Sequence, residues 1–233
     1  MIRKTIKITL HLYKILFTKS QRIFIKKLFK FIYYKLRFLK LKIYLILSKN
    51  NVNLILGAAL TKQKGWFSTN EEWFDIIQKN HWERLFNSKI RVKRVLAEHV
   101  FEHLTLDEMR KALNLIYKNM VYGGSLRIAV PDGNNPNQEY RNHCGINGIG
   151  ADASDHKQFI TFELLSHEVE KIGFKFNLKE GYMQNNKLIS EKINSELGTV
   201  MRSRRNKNNI EFKEGWSFQD ANTSLIIDCF KNQ

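Results

Sequence analysis

The sequence predicts an α/β protein built on a mostly parallel sheet, and three observations carry the prediction. Residues 94–132 read as strand, helix, glycine turn and second strand. The apolar run at 53–56 ends in the small residues Gly57, Ala58 and Ala59. The chain then closes with a helical pattern at 162–172, a strand at 174–182 and an apolar strand at 223–230. Strands and helices in alternation fold as an α/β sheet, here with an antiparallel-looking pair at the end.

Each element has a local reason. The strand 94–97 is a short apolar run closed by Glu98 and His99. Leu104, Met109, Leu113, Ile116 and Met120 recur at helical spacing, and Thr105 is placed to cap that helix. Gly123-Gly124 is expected to stop it, because glycine tolerates the left-handed conformation at helix ends. Leu126, Ile128 and Val130 alternate as a strand that runs into Pro131 and Asp132. A strand, a crossover helix and a second strand make a parallel unit, and ligands of such sheets sit beyond the carboxyl ends of the strands. Glu98, His99 and Asp132 therefore stand where a site would be. Gly57 and Ala59 mark the same edge on the first strand. About 36 residues separate the first strand from the strand near 94, so an element within 66–90 must be short or missing. Trp66, Phe67, Trp73, Phe74 and Trp82 crowd that interval, which predicts a compact aromatic core or lid there.

Charge divides the chain. Its 233 residues carry a formal net charge of +17, yet residues 1–50 hold 14 Lys or Arg and no Asp or Glu. Residues 51–233 hold the other 25 basic and all 22 acidic side chains. The expected organisation is a basic amphipathic helical arm, 1–50, joined through the polar stretch 48–52 to a near-neutral domain, 51–233. At about 100° per residue, Lys19, Arg22, Lys26, Lys30, Arg37 and Lys40 share a stripe roughly 80° wide, with Phe24, Leu28, Phe31, Ile32, Leu39 and Ile46 largely away from it. Such a helix suits an anionic membrane surface, lying in the interface plane. Packing on the domain or on a second subunit is the competing use, and the wealth of Ile and Leu speaks against nucleic acid. Cys144 and Cys229 are too few for a disulfide framework. No signal-peptide pattern and no run of 18 uncharged apolar residues occurs, so a cytoplasmic, peripherally membrane-associated protein is expected.

Five segments taken together, LGAALTKQKGW, LAEHVFEHL, GGSLRIAVPDG, Asp155-His156-Lys157 and TSLIIDCFK, resemble the class I S-adenosylmethionine-dependent methyltransferases. They look most like a bacterial branch met near surface-polysaccharide genes. The resemblance spans about residues 53–231. It implies a Rossmann-like sheet of seven strands, mostly parallel, with the last strand inserted antiparallel. It also implies S-adenosylmethionine lying across the first, second and fourth strand ends. Gly57 and Ala59 would then turn beneath the methionine part of the cofactor, although many relatives have glycine where Ala59 stands. Glu98 and His99 would face it from the fourth strand, and Glu102-His103-Leu104 would open the next helix. Asn70 occupies the place of an acid that holds the ribose hydroxyls, with Glu71, Glu72 or Asp75 as stand-ins. Asp132 would face the substrate.

Methyl transfer needs the nucleophile, methyl and sulfur in line, with a nearby base where the nucleophile must lose a proton. Asp132, Asp155 and His156 are the candidates, with His143 beside them, all in the long Gly- and Asn-rich stretch 131–157 expected to cover the substrate. The expected acceptor is a small molecule or glycan, such as a surface-polymer precursor. The alternative is a non-catalytic methyltransferase-like binding module. A rival pattern, His99-x-x-Glu102-His103, fits inverted zinc peptidases, whose chemistry needs both histidines on one helical face. Because His99 directly follows a strand, no metal ligands are assigned from it. The polar, basic segment 185–215, with Arg202, Arg204 and Arg205, is expected to be a solvated loop.

Overall fold

The computed structural model describes residues 17–48, 51–59, 61–86, 90–150, 153–204 and 224–232. The start of the basic arm, the join at 49–50, and Arg205 with residues 206–215 of the basic segment lie outside them. The described residues fall into two compact units that part between Lys42 and Ile43.

The arm's described part is α1, Lys19–Ser48. Thr18 and Gln21 start it with reciprocal bonds: the Thr18 N–H donates to Gln21 Oε1 (2.9 Å) and the Gln21 N–H to Thr18 Oγ1 (3.3 Å). This arrangement satisfies two amides that a helix start leaves without partners. No Gly or Pro interrupts the following 30 residues. Most of its apolar side chains lie open, with Phe24 66% and Phe29 68% exposed and Phe31, Leu36 and Leu39 all above half, whereas Leu41 and Leu45 near its end are buried. Among the described residues no helix is long and apolar enough to cross a membrane.

The second unit is a seven-stranded sheet among its described residues. Its strands are β1 (Val52–Leu56), β2 (Phe67–Ser68), β3 (Val92–Glu98), β4 (Met120–Pro131), β5 (Phe174–Tyr182), β6 (Leu188–Ser190) and β7 (Ser224–Lys231), in the order β2-β1-β3-β4-β7-β5-β6. β2, β1, β3 and β4 run parallel. β7 lies antiparallel between β4 and β5, and β6 turns back along β5. The sheet thus has the inserted antiparallel last strand that the resemblance implied. It reaches seven strands through the β5–β6 hairpin, because the interval between β1 and β3 holds only β2 and the five-residue helix α2, Lys79–Glu83, among its described residues. Trp73, Phe74, Trp82 and Phe86 pack there as buried core, with Phe74 and Trp82 edge to face at 5.0 Å.

Helix α3 (Leu106–Asn119) crosses from β3 to β4, and α5 (Phe162–Ile172) from β4 to β5, after the short α4 (Gln138–Cys144). Thr105 caps α3 as expected, in a reciprocal pair with Glu108. Arg110 of α3 forks onto buried Glu168 of α5 at 2.8 and 2.7 Å, joining the two helices. Gly123-Gly124 does not end α3. The helix stops at Asn119, and Met120 is already extended. Lys231 of β7 closes the end instead, its Nζ donating to the carbonyls of Tyr117 (2.8 Å) and Met120 (3.1 Å). The glycines lie inside β4, where the pairing with β3 skips from Val92–Met120 to Arg94–Ser125. A Cβ on Gly124 would sit 2.9 Å from the Val121 oxygen and 3.0 Å from that of Lys93. The bulge therefore demands glycine for its close backbone approach.

Candidate functional site

The tips of β1 and β3 and the turn after β2 open onto one cleft of about 840 Å³. Gly57, Ala59, Asn70, Glu98, His99, Asp155 and His156 all line it. These seven are thus brought together, with His143 and the ribose stand-ins Glu71, Glu72 and Asp75, while Asp132 is not among them. Acidic side chains outnumber Lys and Arg along its walls, in a protein whose net charge is strongly positive.

The floor is the turn after β1. Gly57 (φ +54°) and Ala59 (φ +45°) are both left-handed. Ala58 between them donates its N–H to the Thr69 carbonyl, while Thr69 bonds back to Ile55 through its N–H and its hydroxyl. These bonds place Asn70 beside the turn. Asn70 Nδ2 reaches the Ala59 oxygen at 3.5 Å, whereas its Oδ1 is shielded from solvent and accepts no hydrogen bond. A Cβ on Gly57 would come within 2.7 Å of a Val100 methyl, so the floor and the β3 tip touch at a spot only glycine fits.

The β3 tip carries the titratable groups. Glu98 Oε1 accepts the Arg202 N–H at 2.8 Å. His99 is left-handed (φ +54°) and turns its ring back into the protein, with Nε2 3.1 Å from Ser224 Oγ and Nδ1 3.1 Å from Glu102 Oε1. Burial, with Arg202 nearby, holds the His99 pKa well below the usual imidazole value. Burial likewise pushes the Glu102 carboxyl up to about 8. A buried acid and a buried imidazole thus meet as neutral groups near pH 7. The rival pattern His99-x-x-Glu102-His103 does straddle a strand and a 3-10 turn, Phe101–His103, so the two histidines share no α-helical face.

The far wall comes from the stretch after β4, which is partly helical rather than a bare loop. His156 Nδ1 lies 2.9 Å from the Cys144 carbonyl at the end of α4, and burial lowers its pKa. Asp155, largely exposed, approaches His103 Nδ1 at 3.0 Å.

Asp132 departs from the expectation. It is fully buried and does not line the cleft. Oδ1 accepts the Asn134 N–H (3.1 Å) and Oδ2 the Tyr182 N–H (2.8 Å), and its own N–H donates to the Tyr140 hydroxyl (2.7 Å). Pro131 ends β4 at the cleft, and the chain turns inward after it. Asp132 therefore fastens the β4 turn to β5 and presents no oxygen to a substrate.

The segment 200–204 is the wall that sequence reasoning missed. Met201 and Arg202 line the cleft. The Ser203 hydroxyl and the Arg204 N–H bond buried Glu180 of β5, and Ser224 Oγ donates to the Arg202 carbonyl. The polar, basic composition that reads as a solvated loop is thus half spent on the ends of β3, β5 and β7. The positive charge of Arg202 opposes protonation of His99 and favours the ionised form of Glu102, and no spacing along the chain announces it.

No protein-family model matches the chain, and no curated protein matches it. Among solved structures it is similar to a S-adenosylmethionine-dependent methyltransferase of Archaeoglobus fulgidus, with 20% identity, 85% of this chain and 94% of that one covered, and a TM-score of 0.43. It is also similar to a S-adenosylmethionine-dependent methyltransferase of Thermotoga maritima, with 14% identity, coverage of 91% and 97%, and a TM-score of 0.44. A third, from Listeria monocytogenes, has 11% identity, coverage of 84% and 98%, and a TM-score of 0.42. The similarities extend over most of each chain and are too remote to bear on the residues of the site.

Proposed function

We propose that the protein is a S-adenosylmethionine-dependent methyltransferase working at a membrane surface. The observation that carries the proposal is Asn70: a shielded oxygen without a hydrogen-bond partner, at the β2 tip, beside a left-handed turn at the β1 tip. A buried acceptor left unmade is costly, and a ribose hydroxyl supplies the missing donor. The acidic walls suit a ligand that carries a sulfonium and an ammonium group. The residues therefore fit the cofactor: Gly57 and Ala59 beneath its methionine part, Asn70 with Glu71 or Glu72 at the ribose, and Glu98 and His99 facing it from β3. When bound, the cofactor supplies an electrophilic methyl group. The protein's part is to hold the acceptor in line and keep water out, with Asp155 and His156 on the acceptor side of the cleft. Isothermal titration of the folded protein with S-adenosylmethionine and S-adenosylhomocysteine tests this. Saturable one-to-one binding of both is expected, and heat from neither overturns the reading in favour of a non-catalytic module.

The membrane part rests on α1. Its exposed Phe24, Leu28, Phe31, Ile32 and Leu39 would lie in the acyl boundary, with the lysine stripe at the head groups. Each lysine near an anionic surface adds about 1 kcal/mol. A glycan or surface-polymer precursor held at that surface is the acceptor class this placement favours. Flotation with vesicles containing phosphatidylglycerol should be lost on deletion of residues 1–42. The cut stops there because Tyr44 is part of the domain, its hydroxyl bonding the backbone of Asn53 and Gly65. Flotation retained by the truncated protein overturns the anchoring role.

A further inference from the structure

The 3-10 turn after β3 and the loop before α5 meet at Glu102, His103 and His156. One ligand-capable atom of each lies within 4.8 Å of the others. Around a first-row metal ion, with bonds of roughly 2.0–2.2 Å, such atoms stand roughly 3–4 Å apart. Side-chain rotations of about an ångström close the set around an ion.

Three features point to an ion rather than a chance cluster. Glu102 is 1% exposed; its Oε2 makes no hydrogen bond, and its Oε1 has only His99 Nδ1 beside it, at 3.1 Å. Burying a carboxyl group with so few hydrogen-bond partners costs free energy, which a ligand that engages it recovers. His103 Nδ1 is likewise shielded and makes no hydrogen bond, although Asp155 stands 3.0 Å from it. The third feature is positioning. The Glu102 carbonyl accepts the N–H of Lys157 (2.8 Å) and Gln158 (3.2 Å), which pins the loop carrying His156 against the turn. His156 in turn sets Nδ1 on the Cys144 carbonyl, leaving Nε2 as the free donor atom of the ring. Metal-binding histidines are commonly oriented by such a bond from the other ring nitrogen.

We infer that Glu102, His103 and His156 form a binding site for a divalent transition-metal ion at the acceptor end of the cleft. One carboxylate and two imidazoles suit Zn²⁺, Mn²⁺, Fe²⁺ or Co²⁺ better than Ca²⁺ or Mg²⁺, which prefer all-oxygen sites. Three protein ligands leave coordination positions open toward the cleft. The substrate class this suits is one that presents oxygen donors, such as hydroxyl or carboxylate groups, directly to the ion. The site stands on its own geometry. Only its use in methyl transfer depends on the proposed function, and metal binding is measured without the cofactor.

Metal-stripped full-length protein titrated with Co²⁺ and followed by electronic absorption tests the site, with bound metal counted by mass spectrometry. One Co²⁺ per chain, displaced by Zn²⁺, is expected. Affinity should fall at least tenfold in each of Glu102→Gln, His103→Ala and His156→Ala, and remain unchanged in His167→Ala, whose ring is exposed on α5. Should a variant fail to fold, the unaltered protein still decides. Its thermal midpoint should rise with Zn²⁺ concentration, since ligands of the native state stabilise it by mass action. No saturable Co²⁺ binding, binding indifferent to all three substitutions, or a midpoint that does not respond to Zn²⁺ overturns the inference.

Discussion

Arg127 and Asp228 face each other across β4 and β7 as a buried fork, Nε to Oδ1 at 2.6 Å and Nη2 to Oδ2 at 2.8 Å. The remaining guanidinium nitrogen donates to the carbonyls of Asn194 and Gly198, so the pair also holds the turn that leads into the cleft wall at 200–204. Two parallel bonds in a dry environment make a well-satisfied ion pair. Removing one partner leaves the other charged and alone. Asp228→Asn or Arg127→Met should therefore cost about 3–5 kcal/mol, read as a lower urea midpoint. The double variant Arg127→Met/Asp228→Leu should recover part of the loss but leave the 194–198 carbonyls unsatisfied. A single variant within about 1 kcal/mol of the parent would show that the pair is not what holds these strands.

The left-handed turn after β1 gives a second test. Gly57→Ala should destabilise by about 2–3 kcal/mol, combining a left-handed alanine with a methyl driven against Val100. The double variant Gly57→Ala/Val100→Ala removes the clash. It should leave roughly 1–2 kcal/mol of backbone strain beside the cavity that the lost methyls create. In the opposite sense, Ala59→Gly relieves a left-handed alanine and should gain up to about 1 kcal/mol in denaturant unfolding. A loss from Ala59→Gly would mean that the alanine methyl has a packing role.

Asn70 separates binding from stability. Asn70→Ala removes an oxygen with no partner within the protein and only a long 3.5 Å contact from Nδ2. Thermal unfolding should hardly move, while affinity for S-adenosylhomocysteine should fall by about five- to tenfold, the worth of one neutral hydrogen bond. An unchanged affinity would assign the ribose to Glu71 or Glu72.

Asp132 predicts a pH dependence. Burial raises its carboxyl to about 6 against the bonds from Tyr182 and Asn134 that favour the ionised form. A carboxyl raised above its unfolded value helps the fold most at low pH, and that help is lost as pH rises through the folded pKa. Comparison of the parent with Asp132→Asn should thus show the parent's relative stability falling by about 3 kcal/mol between roughly pH 4 and 6. A relative stability that grows over this window would show that the ionised carboxylate is the form the fold prefers.

Local signals were legible wherever one short segment decides the outcome. The helix at 162–172, the Thr105 cap, the strand at 174–182 and the shortage of elements between β1 and β3 each follow from spacing or chain length alone. Gly123-Gly124 misleads because glycine signals both a helix stop and a bulge. The choice fell to Lys231, more than a hundred residues away, which closes the helix end from a neighbouring strand.

Which residues gather at a sheet edge is written locally, in strand ends and small-residue turns. Gly57, Ala59, Asn70, Glu98, His99, Asp155 and His156 stand in reach of one cleft for that reason. Long-range packing set the rest: Asp132 turns inward to serve two backbone amides, Arg202 supplies a wall, and Glu102, His103 and His156 converge. Those outcomes depend on which distant groups meet a buried polar atom. Burial in low dielectric fixes its partner and charge, and distance along the chain carries no record of either.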